Sequence, residues 1–188
     1  MRIVAGEYSS RRIEAPKGNN TRPTLDKVRE AVFSSLGGYL EDGWFLDLYA
    51  GSGANGLEAL SRGAGGAVFV DSSKAAVDVI RRNIKSLQCA DKCLVLPVND
   101  KKALVKLQEK QMHFRYVYLD PPYEKQNNAK IIELLQEYDL LEDDAVIVIE
   151  ALKEDIYPEQ IGAFEQYRSA IYGITAIHYY RKRKEGQL

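Results

Sequence analysis

Polar and apolar positions change their period along this chain in a regular way. From Trp44 onward, short apolar or β-branched runs alternate with stretches in which apolar residues recur every three or four positions. "WFLDLY", "AVFVD", "CLVLPV", "RYVYLD" and "DAVIVIEA" read as strands. "ANGLEALSRG", "SKAAVDVIRRNIKSL", "DKKALVKLQEK" and "NNAKIIELLQEYDLL" read as helices. Strand and helix in alternation over more than a hundred residues predict a parallel sheet with helices on both faces. The end of the chain departs from this. "AFEQYRSAIYG" and "ITAIHYYRKRK" are two strand-like runs joined at Gly173, predicted to add an antiparallel hairpin at the edge of the sheet.

The first forty residues follow another pattern. "RIVAGEY" and "RRIEAP" alternate like two short strands and predict a hairpin turned at Ser9-Ser10. Thr24 is the expected N-cap of a helix whose apolar stripe is Leu25, Val28, Val32 and Leu36, ended by Gly37-Gly38. The expected organisation is an extension over 1–40 followed by an α/β domain over 41–188.

In open α/β sheets ligands sit beyond the carboxyl ends of the strands. Four predicted strand ends carry an acid: Asp47, Asp71, Asp100 and Asp120. After the first, Gly51, Gly53 and Gly56 have the G-x-G-x-x-G spacing between a strand and a helix, with Asp71 twenty residues beyond Gly51. Glycines let the backbone approach a ligand closely, and the acid accepts from ribose hydroxyls, so the loop predicts binding of an adenosine-type ligand. Asp47 is suited to help hold a methionine ammonium, directly or through water, and Asp100 the adenine amino group. A dinucleotide would instead set its pyrophosphate on the helix N-terminus.

"LDPPYEK" ends the fourth strand of the alternation. Prolines cannot continue a central strand, so the chain turns rigidly after Asp120. Asp120 and a carbonyl of the Pro121-Pro122 turn can accept the two N–H bonds of an exocyclic amine and aim its lone pair. Tyr123 offers a ring on which a splayed-out base stacks, and a paired base would have to be flipped to reach it.

Composition changes the picture less than charge distribution does. The chain has 188 residues, 45% of them hydrophobic, and no apolar run long enough for a membrane span. Its start lacks the apolar stretch of a signal peptide, so a cytoplasmic location is expected. Cys89 and Cys93 are read as reduced thiols. With His113 and His178 they make no metal spacing, and no structural zinc is expected. The net charge is −1, yet residues 1–29 carry seven Lys/Arg against three acids and 181–184 read "RKRK", while 30–180 hold 15 basic against 23 acidic residues. Basic ends around an acidic middle suit a phosphate-bearing partner, with Arg11, Arg12, Lys182 and Arg183 as candidate contacts.

"DLYAGSGANGLEA" resembles motif I of the class I methyltransferases, and "DPPY" resembles motif IV of those that methylate amino groups. With "TRPTLDKVREAVF", the chain closely resembles the bacterial RsmD family, which methylates one guanine N2 of 16S rRNA. The resemblance covers nearly the whole chain. It implies a Rossmann-like class I fold, with a mostly parallel seven-stranded sheet ending in an antiparallel hairpin, and S-adenosylmethionine as methyl donor. The donor contacts would come from Asp47, Ala50, Gly51, Ser52, Gly53 and Gly56, and from Asp71, Ser72 and Asp100. The catalytic motif would be Asp120, Pro121, Pro122 and Tyr123. Arg22, Thr24 and Arg29 would lie near donor and target. The implied partner is 16S rRNA, in the small subunit or an assembly intermediate, and a monomer is expected. The rival expectations are an adenine-N6 or protein-glutamine methyltransferase, an NAD-dependent oxidoreductase that leaves "DPPY" idle, and a non-catalytic RNA-binding assembly factor.

Overall fold

A computed structural model describes residues 1–16, 23–122 and 127–183. Five helices and eight strands follow in chain order: α1 (Pro23–Ser35), β1 (Trp44–Asp47), α2 (Ala54–Ser61), β2 (Gly66–Val70), α3 (Lys74–Leu87), β3 (Cys93–Leu96), α4 (Asp100–Glu109), β4 (Phe114–Leu119), α5 (Asn128–Glu137), β5 (Leu141–Leu152), β6 (Gln160–Ile161), β7 (Phe164–Tyr172) and β8 (Thr175–Lys182). They form one sheet in the order β3-β2-β1-β4-β5-β8-β7-β6. β1 to β5 are parallel. β8 runs antiparallel against β5, and β7 against β8. The strand order reverses between β1 and β4, which is where such sheets open a crevice for ligand. The expected seven strands become eight because a two-residue strand, β6, pairs with the start of β7.

Alternate residues of the central strands feed two separate cores. Phe45, Phe69, Tyr116, Tyr118 and Val148 face α1, α2 and α3 through Val32, Leu57 and Ile80. Leu46, Val68, Val117 and Ile147 face α4 and α5 through Leu104, Leu107, Ile131 and Leu135. Burial on both faces explains why β2 is a continuous apolar run, buried at all five positions. Helix starts are marked as their sequences suggest. Ser73 caps α3 by accepting from Ala76 N–H at 3.4 Å, and Asn99 caps α4 by accepting from Lys102 N–H at 2.9 Å. α1 begins at Pro23, so Thr24 falls inside its first turn, past the expected capping position.

The expected N-terminal hairpin is a single bridge, Arg2 to Arg12, and not two strands. Ile3 N–H donates across it to the Arg11 carbonyl at 2.9 Å, Ser10 N–H to the Ile3 carbonyl at 2.9 Å and Ile13 N–H to the Met1 carbonyl at 3.1 Å, but the groups beyond Ile3 are spent elsewhere. Val4 and Ala5 donate to the Glu58 carboxylate at 2.8 and 3.0 Å, Glu7 to the Ser61 carbonyl at 2.8 Å, and Tyr8 to the Ser61 hydroxyl at 2.9 Å. The segment is thus laid along α2, and Ile3, Tyr8 and Ile13 join the core of the α1–α3 face.

Candidate active site

The loop after β1 is shaped by what it bonds. Ala50 N–H donates to the Val70 carbonyl at 2.9 Å, and Gly53 N–H to the Ala50 carbonyl at 2.7 Å. Gly51 N–H donates to Asp71 Oδ2 at 2.9 Å. Gly51 has φ 56°, and a side chain there would project into open space, so its bare backbone faces the crevice. Gly56 serves packing instead. A Cβ there would come within 2.4 Å of the Phe69 ring, so α2 packs this close to β2 only without one. Ser52 is buried, its hydroxyl accepting from Ala54 N–H at 3.3 Å and its carbonyl from Asn83 Nδ2 at 2.9 Å.

The four strand-end acids share one rim but differ in exposure. Asp47 is 1% exposed and accepts from Gly56 N–H at 3.1 Å. Burial pushes its carboxyl up to about 7, a shift the Gly56 N–H opposes and the charge of Asp71 adds to. Asp47 is thus sealed beneath the glycine loop, out of direct reach of the cleft. Asp71 is half-buried and uses both oxygens, Oδ2 toward Gly51 and Oδ1 toward Ser73 N–H at 2.8 Å. Ser72 is exposed beside it. Asp100 opens α4, accepting from the Tyr49 hydroxyl at 2.9 Å and from Lys101 N–H at 2.7 Å.

Asp120 follows β4, whose pairing sets Tyr118 against Asp47. Asp120 therefore rises one strand spacing from the glycine loop, and Pro121 is buried behind it. The Tyr118 hydroxyl donates to Glu150 Oε2 at 2.9 Å. The surrounding walls, then the charges of Glu150 and Asp47, push the Asp120 carboxyl well above the ordinary range. Its side chain still reaches solvent, so water relieves part of the first cause. Burial likewise raises Glu150, against the pull of the Tyr118 hydroxyl.

Asp120, Glu150 and Tyr118 form one wall of a cleft of about 770 Å3, counting the solvent at its mouth. Tyr49, Ala50, Gly51 and Ser52 form a second wall; Met1, Pro16, Leu25 and Arg29 a third. Glu150 and Tyr118 were not among the residues expected from sequence. The signal available was an acid inside the apolar run "AVIVIEA".

The basic candidates separate. Arg29 is 4% exposed, and its guanidinium is taken up by Asp26 at 2.7 Å, Glu58 at 3.3 Å and the Arg2 carbonyl at 2.6 Å. It holds the N-terminal segment to α2 and lines the cleft beside the glycine loop and Asp120. Arg11 is exposed and donates to the Ser86 carbonyl at 2.6 Å, and Arg12 is exposed. Lys182 pairs with Asp143 at 2.6 Å, and Arg183 is exposed on the same edge. Arg22, Tyr123 and Lys184 lie outside the described residues.

Comparison with known proteins places this geometry. Residues 1–181 match the family described as Conserved hypothetical protein 95. A Bacillus subtilis protein, YlbH, named as a candidate rRNA methyltransferase, is 38% identical over 97% of this chain and 100% of its own. The Escherichia coli protein named ribosomal RNA small subunit methyltransferase D is 31% identical over 100% of this chain and 92% of its own. A solved Escherichia coli structure titled as a candidate methyltransferase, yhhF, superposes with a TM-score of 0.83 at 31% identity, covering 98% of this chain and 99% of that one. Family match, relatives and a class I fold with its glycine loop and Asp120 on adjacent strands agree: the chain belongs to the RsmD family of rRNA methyltransferases.

Proposed function

We propose that the protein transfers a methyl group from S-adenosylmethionine to the exocyclic N2 of one guanine in 16S rRNA, within the small ribosomal subunit or its assembly intermediate. The observation that carries this reading is the juxtaposition of Asp120 with the glycine loop across the β4–β1 pair, opening into one cleft.

The residues present fit the donor. Gly51 leaves open space where a side chain would stand, so the backbone of Ala50 to Ser52 is free to be approached. Each Asp71 oxygen accepts one backbone N–H and retains a lone pair for ribose hydroxyls. Asp100 is held by Tyr49 where the adenine amino group would lie. Bound there, the donor supplies an electrophilic methyl on a sulfonium.

The chain's own part is to position the acceptor. The lone pair of an aromatic amine is delocalised into its ring. A carboxylate and a backbone carbonyl accepting both amine protons draw the nitrogen toward a tetrahedral form and aim its lone pair. Asp120 stands where the first is needed, and the Pro121-Pro122 turn brings the second. A cationic donor and an N–H-rich base edge beside Asp120 and Glu150 in turn favour the charged forms of those carboxyls. Tyr123 would stack the base. The relatives named for small-subunit rRNA supply the substrate class, and the exposed Arg11, Arg12 and Arg183 suit its phosphates.

The test is methyl transfer from labelled donor to small subunits that lack the modification, with wild type and Asp120→Ala in parallel and the modified nucleoside identified. N2-methylguanosine from wild type alone is the expected outcome. Methyladenosine, or an Asp120→Ala enzyme as active as wild type, would overturn the reading.

A further inference from the structure

We propose that Glu150 reads the target base, accepting the ring N1–H of guanine beside the methylated amine, and so selects guanine over adenine and cytosine. The proposal rests on the guanine-N2 reading of this cleft and assigns the part of it that recognises the base.

Along the rim the strand order is β1, β4, β5, with neighbouring strands about 4.8 Å apart. The glycine loop follows β1, Asp120 follows β4 and Glu150 lies on β5. Glu150 therefore stands beyond Asp120, on the side away from the donor loop. Strand alternation sets it on the same face as Val148, the face covered by α1 and the N-terminal segment, and it lines the cleft. A base whose amine meets Asp120 has its neighbouring ring atom toward Glu150.

The Glu150 carboxylate is also oriented. The Tyr118 hydroxyl, on a side chain 1% exposed, holds Glu150 Oε2 at 2.9 Å. Oε1 takes no hydrogen bond from any described residue and is available to a ligand. An acid inside the otherwise apolar stretch from Ala145 to Leu152 adds nothing to the packing of β5.

The chemistry then discriminates. Guanine N2 stands between N1–H, a donor, and N3, a bare acceptor; with the N1 side toward Glu150 the base offers a donor. The ring nitrogens beside adenine N6 and cytosine N4 are bare acceptors. The N1–H it accepts favours the ionised form of Glu150, and an ionised carboxylate only accepts, so at this place it pairs with guanine and faces a lone pair in the other two. Sites built to hydrogen-bond an N–H reject analogues lacking it far more strongly than apolar pockets do, because buried polar groups are left unpaired. Two carboxylates on one wall also repel, and the N–H groups of a single guanine edge satisfy both.

The test uses RNA with either guanine or 2-aminopurine at the mapped target position. 2-Aminopurine keeps the exocyclic amine but has a bare N1. Wild type should prefer guanine in kcat/KM on the order of 100-fold or more. Glu150→Gln turns a donating amide toward N1, and the preference should fall by about 100-fold or invert. Tyr118→Phe leaves Glu150 unanchored and should lower the preference by about 3- to 10-fold. Melting temperatures establish that the variants are folded. If Glu150→Gln slows both substrates by the same factor, the proposal is wrong and the methyltransferase reading stands. If wild type makes no N2-methylguanosine on the native RNA, the reading itself fails and takes this proposal with it.

Discussion

The N–H of Gly51 donates to Asp71 Oδ2 at 2.9 Å, tying the loop after β1 to the end of β2. The acid that would hold a ribose thus also sets the shape of the loop beside it, and one substitution should strike both. Asp71→Ala should weaken S-adenosylmethionine binding about 10- to 100-fold, the range of one or two lost charge-assisted hydrogen bonds. Calorimetric titration checks this. Unchanged affinity would remove Asp71 from the donor site.

Asp120→Asn retains one acceptor oxygen but replaces the other with a donor facing the amine. It should lower single-turnover methyl transfer about 100- to 1000-fold, the range for losing one preorganised electrostatic contact, with donor affinity nearly unchanged. A loss of donor affinity as large as the loss of rate would place Asp120 in the donor site instead.

Glu58 is fully buried and accepts from Val4 and Ala5 N–H, from Arg29 Nε at 3.3 Å and from Arg62 Nε at 2.7 Å. Glu58→Ala strands two buried cations and two backbone donors, and should cost about 3–5 kcal/mol of stability. Urea unfolding measures it. Arg29→Ala should likewise destabilise the fold. A well-folded Arg29→Ala protein with weakened RNA binding alone would place Arg29 among the RNA contacts instead.

Asp47 titrates near 7 when folded and near 3.8 when unfolded, because burial disfavours its charge. A raised carboxyl pKa stabilises the fold fully below the unfolded value, and that stability is lost as pH rises through the folded one. Relative to Asp47→Asn, wild type should therefore lose stability between about pH 4 and pH 7, by on the order of 4 kcal/mol, and stay level above. Denaturation of both proteins across that range is the check; a constant difference would mean Asp47 is ionised throughout.

Lys182 pairs with Asp143 at 2.6 Å. If that edge meets RNA, Asp143→Ala should tighten binding, and neutralising both Lys182 and Arg183 should flatten the dependence of log K on log salt by about 1.4 to 1.8. Identical slopes for all variants would detach this edge from the RNA surface.

The sheet was legible because burial on both faces leaves continuous apolar strands, and alternation with helices leaves few topologies. β1 to β5 stand where their runs predicted, as do α2 to α5. The misreadings share a cause. "RIVAGEY" alternates like a strand, yet beyond Ile3 the N–H groups of Val4, Ala5 and Glu7 bond Glu58 and Ser61. Arg29 looks like one more cation of a basic terminus, yet Glu58 claims it from 29 residues away. No local pattern encodes a partner that distant.

Residue order alone was enough for the parallel sheet with helices on both faces, the glycine loop and the acid at each of the first four strand ends, since each follows from period, spacing or a turn that only certain residues allow. Which of those acids reaches the cleft was a matter of packing. Asp47 and Asp120 end adjacent strands, but α2 descends on the first and the cleft opens before the second. Packing also brought Glu150 beside Asp120 from another strand, through Tyr118. Burial and long-range hydrogen bonds depend on how elements meet in three dimensions, and that arrangement sums over the whole chain.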